Sequence, residues 1–169
     1  IQSTEQLKNS YEMKRKKEET IMLKIRTMTS GDAKEILPMV YGFYRSDAVD
    51  HAVPEEVLQR TFEAAVTEGT LLRGLTLEDE SGVVGFAYLT SLYSTEIGGV
   101  TVMLEDLYFI PEVRGKGYGT EFFRWMENSY PDARRFRLEV TKENTGAAHL
   151  YQKLGYHYIR YDQMAKERL

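Results

Sequence analysis

The sequence predicts a single-domain α/β protein with a mixed, mostly antiparallel sheet flanked by helices. Three observations carry this expectation. Short runs of alternating apolar and polar residues recur along the chain, stretches of helical apolar spacing separate them, and the second half reads strand–helix–strand. With 169 residues the chain suits one hydrophobic core. The expected order is β-α-α-β-β-β-α-β-α-β over a domain of residues 22–169, preceded by a polar, charged extension of residues 1–21.

That extension carries Lys14-Arg15-Lys16-Lys17 and then Glu18-Glu19, so it buries little and its basic run is half offset. A signal peptide is not expected there, because no apolar stretch is present. Leu23 to Met28 alternates as a half-buried strand. Thr29-Ser30-Gly31-Asp32 then offers capping residues before Ala33, Ile36, Leu37, Val40 and Tyr44 at helical spacing. A second helix opens at Pro54-Glu55-Glu56, with proline in the first turn and carboxylates at the positive end of the helix. Leu71 to Glu78, Val83 to Ser91 and Val100 to Ile110 read as successive strands. A helix from Gly119 to Tyr130, a strand from Phe136 to Val140 and a helix from Thr145 to Leu154 follow. Tyr156 to Tyr161 reads as a last strand.

Composition excludes several classes of chemistry. The chain has no cysteine, which removes disulfides, thiolate catalysis and cysteine-ligated metals. Its three histidines, His51, His149 and His157, lack metal-ligand spacing, so no metal is expected. The formal net charge of -4 argues against a nucleic-acid partner and suits a cationic substrate weakly. No apolar run approaches the roughly 18 residues that span a bilayer. No membrane association is expected, and the cytoplasm is the default compartment.

The most informative stretch runs from Leu104 to Thr120. An apolar strand carrying Glu105 and Asp106 ends at Pro111. Arg114-Gly115-Lys116-Gly117-Tyr118-Gly119-Thr120 then leads into a helix. Alternating glycines let a backbone approach a ligand closely, and the free amides of a first helical turn hold an anion. Arg114 and Lys116 add positive charge, and a diphosphate is the natural guest. The alternative is a tight strand-to-helix turn that merely needs glycine. A dinucleotide fingerprint would need glycine where Thr120 stands, although Glu139 lies near the place of its ribose-binding acid. A Walker A loop is absent.

Arg114-Gly115-Lys116-Gly117-Tyr118-Gly119 resembles the R-G-x-G-x-G/A pyrophosphate loop of the GNAT superfamily of N-acetyltransferases. Glu143 to Tyr156 resembles the same family's E-N-x-x-A-x-x-L/F-Y-x-K-x-G-F/Y segment. The resemblance covers about Met22 to Tyr161. It implies an acyl-CoA N-acyltransferase fold, acetyl-CoA as co-substrate, an amine acceptor and, as in many relatives, a homodimer. It also implies roles for residues. Leu107, Tyr108 and Phe109 would pair through their backbone with the pantetheine arm. Arg114, Gly115, Lys116, Gly117, Tyr118, Gly119 and Thr120 would hold the pyrophosphate. Asn144 would bond the cofactor arm, and Tyr151 would stand near the thioester sulfur. Asn144 can equally cap the last helix, Tyr151 can be a core tyrosine, and His149 reads as a surface helix residue.

An alkyl amine, with a pKa of about 10.4, is protonated near neutrality and must lose a proton before it attacks. Glu105 and Asp106 are the candidate bases, and alternation on a strand points only one of them at the acetyl group. Leu104-Glu105-Asp106-Leu107 is similar to the L-E-D-F/L run of diamine (spermidine/spermine-type) acetyltransferases. In that branch the first carboxylate is the base, which makes Glu105 the choice. A backbone N–H of the strand would hold the oxyanion, and Tyr151 would protonate the leaving thiolate. Asp47, Asp50 and Glu96 are candidates to anchor a second positive charge on a small cationic amine. A protein or peptide acceptor, or a non-catalytic acyl-CoA-binding module on the same fold, are the alternatives.

Overall fold

A computed structural model describes residues 23–49 and 51–168. The extension of residues 1–21, Met22 and Asp50 lie outside the described residues. Strand β1 (Lys24–Thr27) leads through a 3-10 turn into helix α1 (Ala33–Tyr44) and helix α2 (Glu55–Ala65). Strands β2 (Arg73–Asp79), β3 (Gly82–Ser94) and β4 (Gly99–Phe109) follow. Helix α3 (Tyr118–Ser129), strand β5 (Ala133–Leu138) and helix α4 (Thr145–Lys153) complete the order. The sheet runs β1-β2-β3-β4-β5, antiparallel throughout except for the parallel pair β4 and β5. Helix α3 is the crossover that a parallel pair requires.

Strand alternation sends side chains into two cores, one on each face of the sheet. Leu75, Leu77, Val84, Ala87, Leu89, Val102 and Leu104 face α3, where Phe122, Phe123 and Met126 are buried. Phe86 and Tyr88 face Ile36 and Val40 of α1 and Leu58 and Phe62 of α2. Each fully buried aromatic or aliphatic side chain of this kind stabilises the fold by about 1.5–3 kcal/mol. At the β1 edge, Asp32 binds both terminal nitrogens of Arg26, at 2.7 and 2.8 Å, and accepts from the Thr29 amide at 2.7 Å. The Arg26 guanidinium holds the Asp32 carboxyl well below the usual carboxylate range.

Two strand positions depart from expectation. The fifth strand is Ala133–Leu138 rather than Phe136 to Val140, because its parallel pairing with β4 begins at Val100 opposite Ala133 and ends at Leu104 opposite Leu138. The last expected strand, Tyr156 to Tyr161, does not form: these residues join no ladder. Their alternation is genuine, but a strand is defined by the neighbour that bonds it. Here residues 156–161 and β5 border a shared groove of about 930 Å³, and the Tyr161 hydroxyl is fixed instead by donating to Glu96 at 2.6 Å. Among the described residues, no helix is long and apolar enough to cross a membrane.

Candidate active site

The site is built on β4, which outruns its neighbour. Beside β3 the strand is paired to Phe109, but beside β5 the pairing stops at Leu104. From Glu105 to Phe109 one edge of β4 is therefore free of β5, and its outward peptide groups there, apart from the Phe109 carbonyl that Arg114 occupies, are open to an extended ligand. Leu107, Tyr108 and Phe109, expected to meet a pantetheine arm, occupy this stretch.

Within it lies a β-bulge. Tyr88 opposes Asp106 and Leu89 opposes Leu104, so Glu105 has no counterpart on β3. A bulge of this kind disturbs the alternation of side chains and loosens the ladder locally. Leu104 and Leu107 pack with the α3-side core, whereas Tyr108 packs with the α1-side core. Glu105 and Asp106 both lie on the α1 side. Glu105 accepts from the Thr90 hydroxyl at 2.5 Å and is exposed. Asp106 accepts from the Tyr44 hydroxyl at 2.8 Å and is buried. The expectation that the two carboxylates face opposite ways is thus corrected, because the extra residue of the bulge resets the alternation. Burial pushes the Asp106 carboxyl up to about 6, against the Tyr44 hydrogen bond, and the neighbouring Glu105 charge adds to the rise.

Past Phe109 the chain makes a 3-10 turn, Pro111–Val113, and enters the glycine stretch. Gly115 and Gly117 sit at φ 78° and 92°, in the left-handed region where a side chain would be strained. Gly117 is the N-cap of α3, and the first bond of that helix runs from the Glu121 amide to the Gly117 carbonyl. The amides of Gly117, Tyr118, Gly119 and Thr120 are therefore the four that a helix start leaves without an intrahelical acceptor. Their dipoles converge on the space an anion would fill. A Cβ on Gly119 would stand 2.9 Å from Leu150 Cδ2, so this glycine lets α3 approach α4.

The side chains of the turn have separate duties. Tyr118 is turned into the core and donates its hydroxyl to Asp79 at 2.8 Å, leaving only its amide to the turn. Arg114 folds back, its Nε donating to the Phe109 carbonyl at 3.0 Å and its guanidinium lying 5.5 Å from the Tyr108 ring centre. Lys116 is exposed.

On α4, Asn144 caps the helix by accepting from the Ala147 amide at 3.3 Å. Tyr151 packs edge-on against Phe123, with ring centres 5.4 Å apart, and lines the groove beside Leu138, Glu139 and Val140. Burial pushes the Tyr151 hydroxyl up, so it stays protonated over the working pH range. His149 is exposed on the helix.

Glu96 accepts from Arg135 at 3.1 Å as well as from Tyr161, so a cationic substrate there would compete with an existing ion pair. Asp47 is exposed near the end of α1. Sequence reasoning placed Tyr44 on the apolar face of α1 and Tyr88 on a sheet strand, and missed that both surround Asp106. The available signal was a polar tip at the end of an apolar stripe. Among the described residues, no cluster of three or more His, Asp and Glu side chains could hold a metal ion.

Comparison with known proteins gives a consistent result. A family model described as "Acetyltransferase (GNAT) family" matches residues 37–156. Thialysine N-epsilon-acetyltransferase from Mus musculus is 29% identical over 143 residues, covering 78% of this chain and 82% of that protein. The Sus scrofa protein of the same name is 30% identical over 142 residues, with the same shares. In fold, the chain is similar to AAC(6')-Iy in complex with the bisubstrate analogue CoA-S-monomethyl-acetylneamine. The TM-score is 0.67 at 17% identity, over 88% of this chain and 99% of that one.

Proposed function

The chain belongs to the GNAT acetyltransferase family, as an acetyl-CoA-dependent N-acetyltransferase, and on that premise we propose that it acetylates a small cationic primary amine by direct transfer. The observation that carries this reading is the continuity of β4: one strand presents a free edge, an exposed carboxylate at a bulge and, immediately after it, a helix start whose free amides suit an anion. The related enzymes named for thialysine, an aminoalkyl amino acid, support an acceptor with its amine at the end of a short chain.

In this mechanism the amides of Gly117 to Thr120 hold the diphosphate of acetyl-CoA, with Gly115 shaping the turn. Arg114 and Lys116 contribute positive charge near it. The free edge at Leu107, Tyr108 and Phe109 aligns the pantetheine arm, and Asn144 adds a polar contact while capping α4. The acceptor binds as its ammonium ion, and Glu105 removes one proton, directly or through a water molecule. The amine nitrogen attacks the thioester carbon, and a backbone amide loosened by the bulge stabilises the oxyanion. Collapse expels the CoA thiolate, and Tyr151 supplies the proton that makes it a thiol. The second proton, lost by the acylated nitrogen, restores the Tyr151 hydroxyl through solvent, and Glu105 releases its proton to water. The acceptor's charge is matched by Glu105 and Asp106.

We also propose a homodimer. The sheet ends at β5 with its outer edge unpaired among the described residues. Residues 156–161 border the same groove as β5 without joining a ladder, with Tyr158 and Tyr161 68% and 70% exposed. An open edge and an extended apolar segment on each of two copies can complete one another about a two-fold axis. Sedimentation should give a dimer, and a fully active monomer would reject this part.

The decisive assay is thiol release from acetyl-CoA against thialysine, diamines, aminoglycosides, amino acids and peptides, with the products identified by mass. Turnover with a small aminoalkyl compound is expected. Selective turnover of peptides would point to a protein acetyltransferase. CoA binding without thiol release for any acceptor would point to a sensor.

A further inference from the structure

The bulge places a second carboxylate beside the base, and the steps above leave its burial unexplained. Asp106 is 9% exposed and receives one hydrogen bond, from the Tyr44 hydroxyl at 2.8 Å. Tyr88, its partner across the ladder, is 1% exposed, and the Tyr88 hydroxyl is buried with no hydrogen-bond partner among the described residues. Among the described residues, the groups that face Asp106 are therefore Tyr44 from α1, Tyr88 from β3 and Glu105 from its own strand. None is a cation. Glu105 in turn meets the Thr90 hydroxyl at 2.5 Å. A buried carboxylate of this kind does not exist to stabilise the fold, because ionising it without a cation is costly. Its cost is informative when it lies next to a group that must accept a proton.

We propose that Asp106 is a positioning residue whose negative charge, maintained by the Tyr44 hydroxyl, makes the neighbouring Glu105 a stronger proton acceptor. Resting on the assignment of Glu105 as base, the inference treats the two carboxylates as a coupled pair that takes up one proton per turnover. An N–H bond of the acceptor ammonium breaks, its electron pair stays on nitrogen, and an O–H bond forms on Glu105. The adjacent charge of Asp106 draws the proton toward the pair, since two like charges on one face are relieved when one is neutralised. Tyr44 sets the condition: its donated hydrogen bond favours the ionised form of Asp106 against the burial that opposes it. The last residue of α1 thereby tunes the chemistry on the central strand.

The test is the pH dependence of kcat/KM for Asp106→Asn and Tyr44→Phe, with Glu105→Gln alongside and the KM for acetyl-CoA recorded throughout. In Asp106→Asn the acidic limb should move down by about one pH unit and the plateau should fall about tenfold, as a weaker base gives slower proton transfer. In Tyr44→Phe the limb should instead move up by about one unit, because Asp106 then stays neutral to higher pH, and the plateau should recover to near wild type by about pH 9. A merely structural pair would lower kcat in both variants with the limb unmoved, and that result overturns the proposal. Should Asp106→Asn fail to fold, the Tyr44→Phe profile alone decides. Full activity in Glu105→Gln would instead overturn the assignment of the base, leaving these two shifts without their premise.

Discussion

The glycine turn after β4 and the bulge within it would serve the same reaction by opposite means. The turn would work through its backbone: Gly115 and Gly117 take conformations closed to other residues, four amides face outward, and Tyr118 turns its side chain into the core. The bulge would work through its side chains, since the extra residue puts Glu105 and Asp106 on one face, where Thr90 and Tyr44 bond them separately. The lesson is that the two regions should tolerate opposite kinds of change. Side chains at the turn should be replaceable so long as the backbone keeps its path, whereas at the bulge a change of a single side-chain atom should alter activity.

The largest effect is expected at the bulge. Glu105→Gln keeps the shape and removes the proposed base, so kcat/KM should fall by about 10²–10⁴ with CoA affinity unchanged, as read by steady-state kinetics and calorimetry together. Unchanged turnover from pH 6 to 9 would erase the contrast. At the turn, Gly117→Val forces a branched side chain into φ 92°. The strain, about 1–3 kcal/mol, should weaken CoA binding roughly tenfold or more, with less effect on kcat. Tyr151→Phe should lower kcat about 10-fold to 100-fold without altering the KM for acetyl-CoA, and the loss should shrink with acyl donors whose thiolates need no proton to leave.

A smaller effect concerns stability, and its sign follows from Asp106. Burial pushes its carboxyl up to about 6 in the fold, above its ordinary value of 3.8. Stability from the neutral form is therefore complete below about pH 4 and is lost as pH rises through about 6, by on the order of 2–3 kcal/mol. Asp106→Asn, whose amide oxygen can still accept from Tyr44, should melt several degrees higher than wild type at pH 8 and nearly level with it at pH 4. A lower Tm at pH 8 would mean that the carboxylate stabilises the fold. The smallest effect belongs to Lys116→Ala, an exposed charge at the turn, which should weaken CoA binding by less than about 1 kcal/mol in a salt-dependent manner.

The same contrast explains what the sequence revealed. Glycines at 115, 117 and 119 advertise a backbone device, because few other residues can stand there, and the turn was legible, although its helix starts at Tyr118 with Gly117 as cap rather than at the expected Gly119. The bulge has no such mark: Leu104-Glu105-Asp106-Leu107 carries no glycine or proline, and the mismatch appears only when β3 is laid beside it. Tyr44 was legible as a helix residue, but its bond to Asp106 spans 62 positions of sequence. Tyr156 to Tyr161 failed for a related reason, since alternation reports a chain able to pair and says nothing about whether a partner strand is within reach. The two helices packed on β3 and the crossover helix α3 were readable because their apolar spacing and their caps are local.

The proposed reaction depends on backbone amides that would grip a diphosphate and thereby set the thioester against the carboxylates. Calorimetric titration of the intact protein with CoA, with pantetheine as the ligand lacking the diphosphate, tests this most directly. CoA should bind at least 100-fold more tightly than pantetheine, and Gly117→Val should remove most of that difference. Equal affinity for the two ligands, or a difference untouched by Gly117→Val, would contradict it.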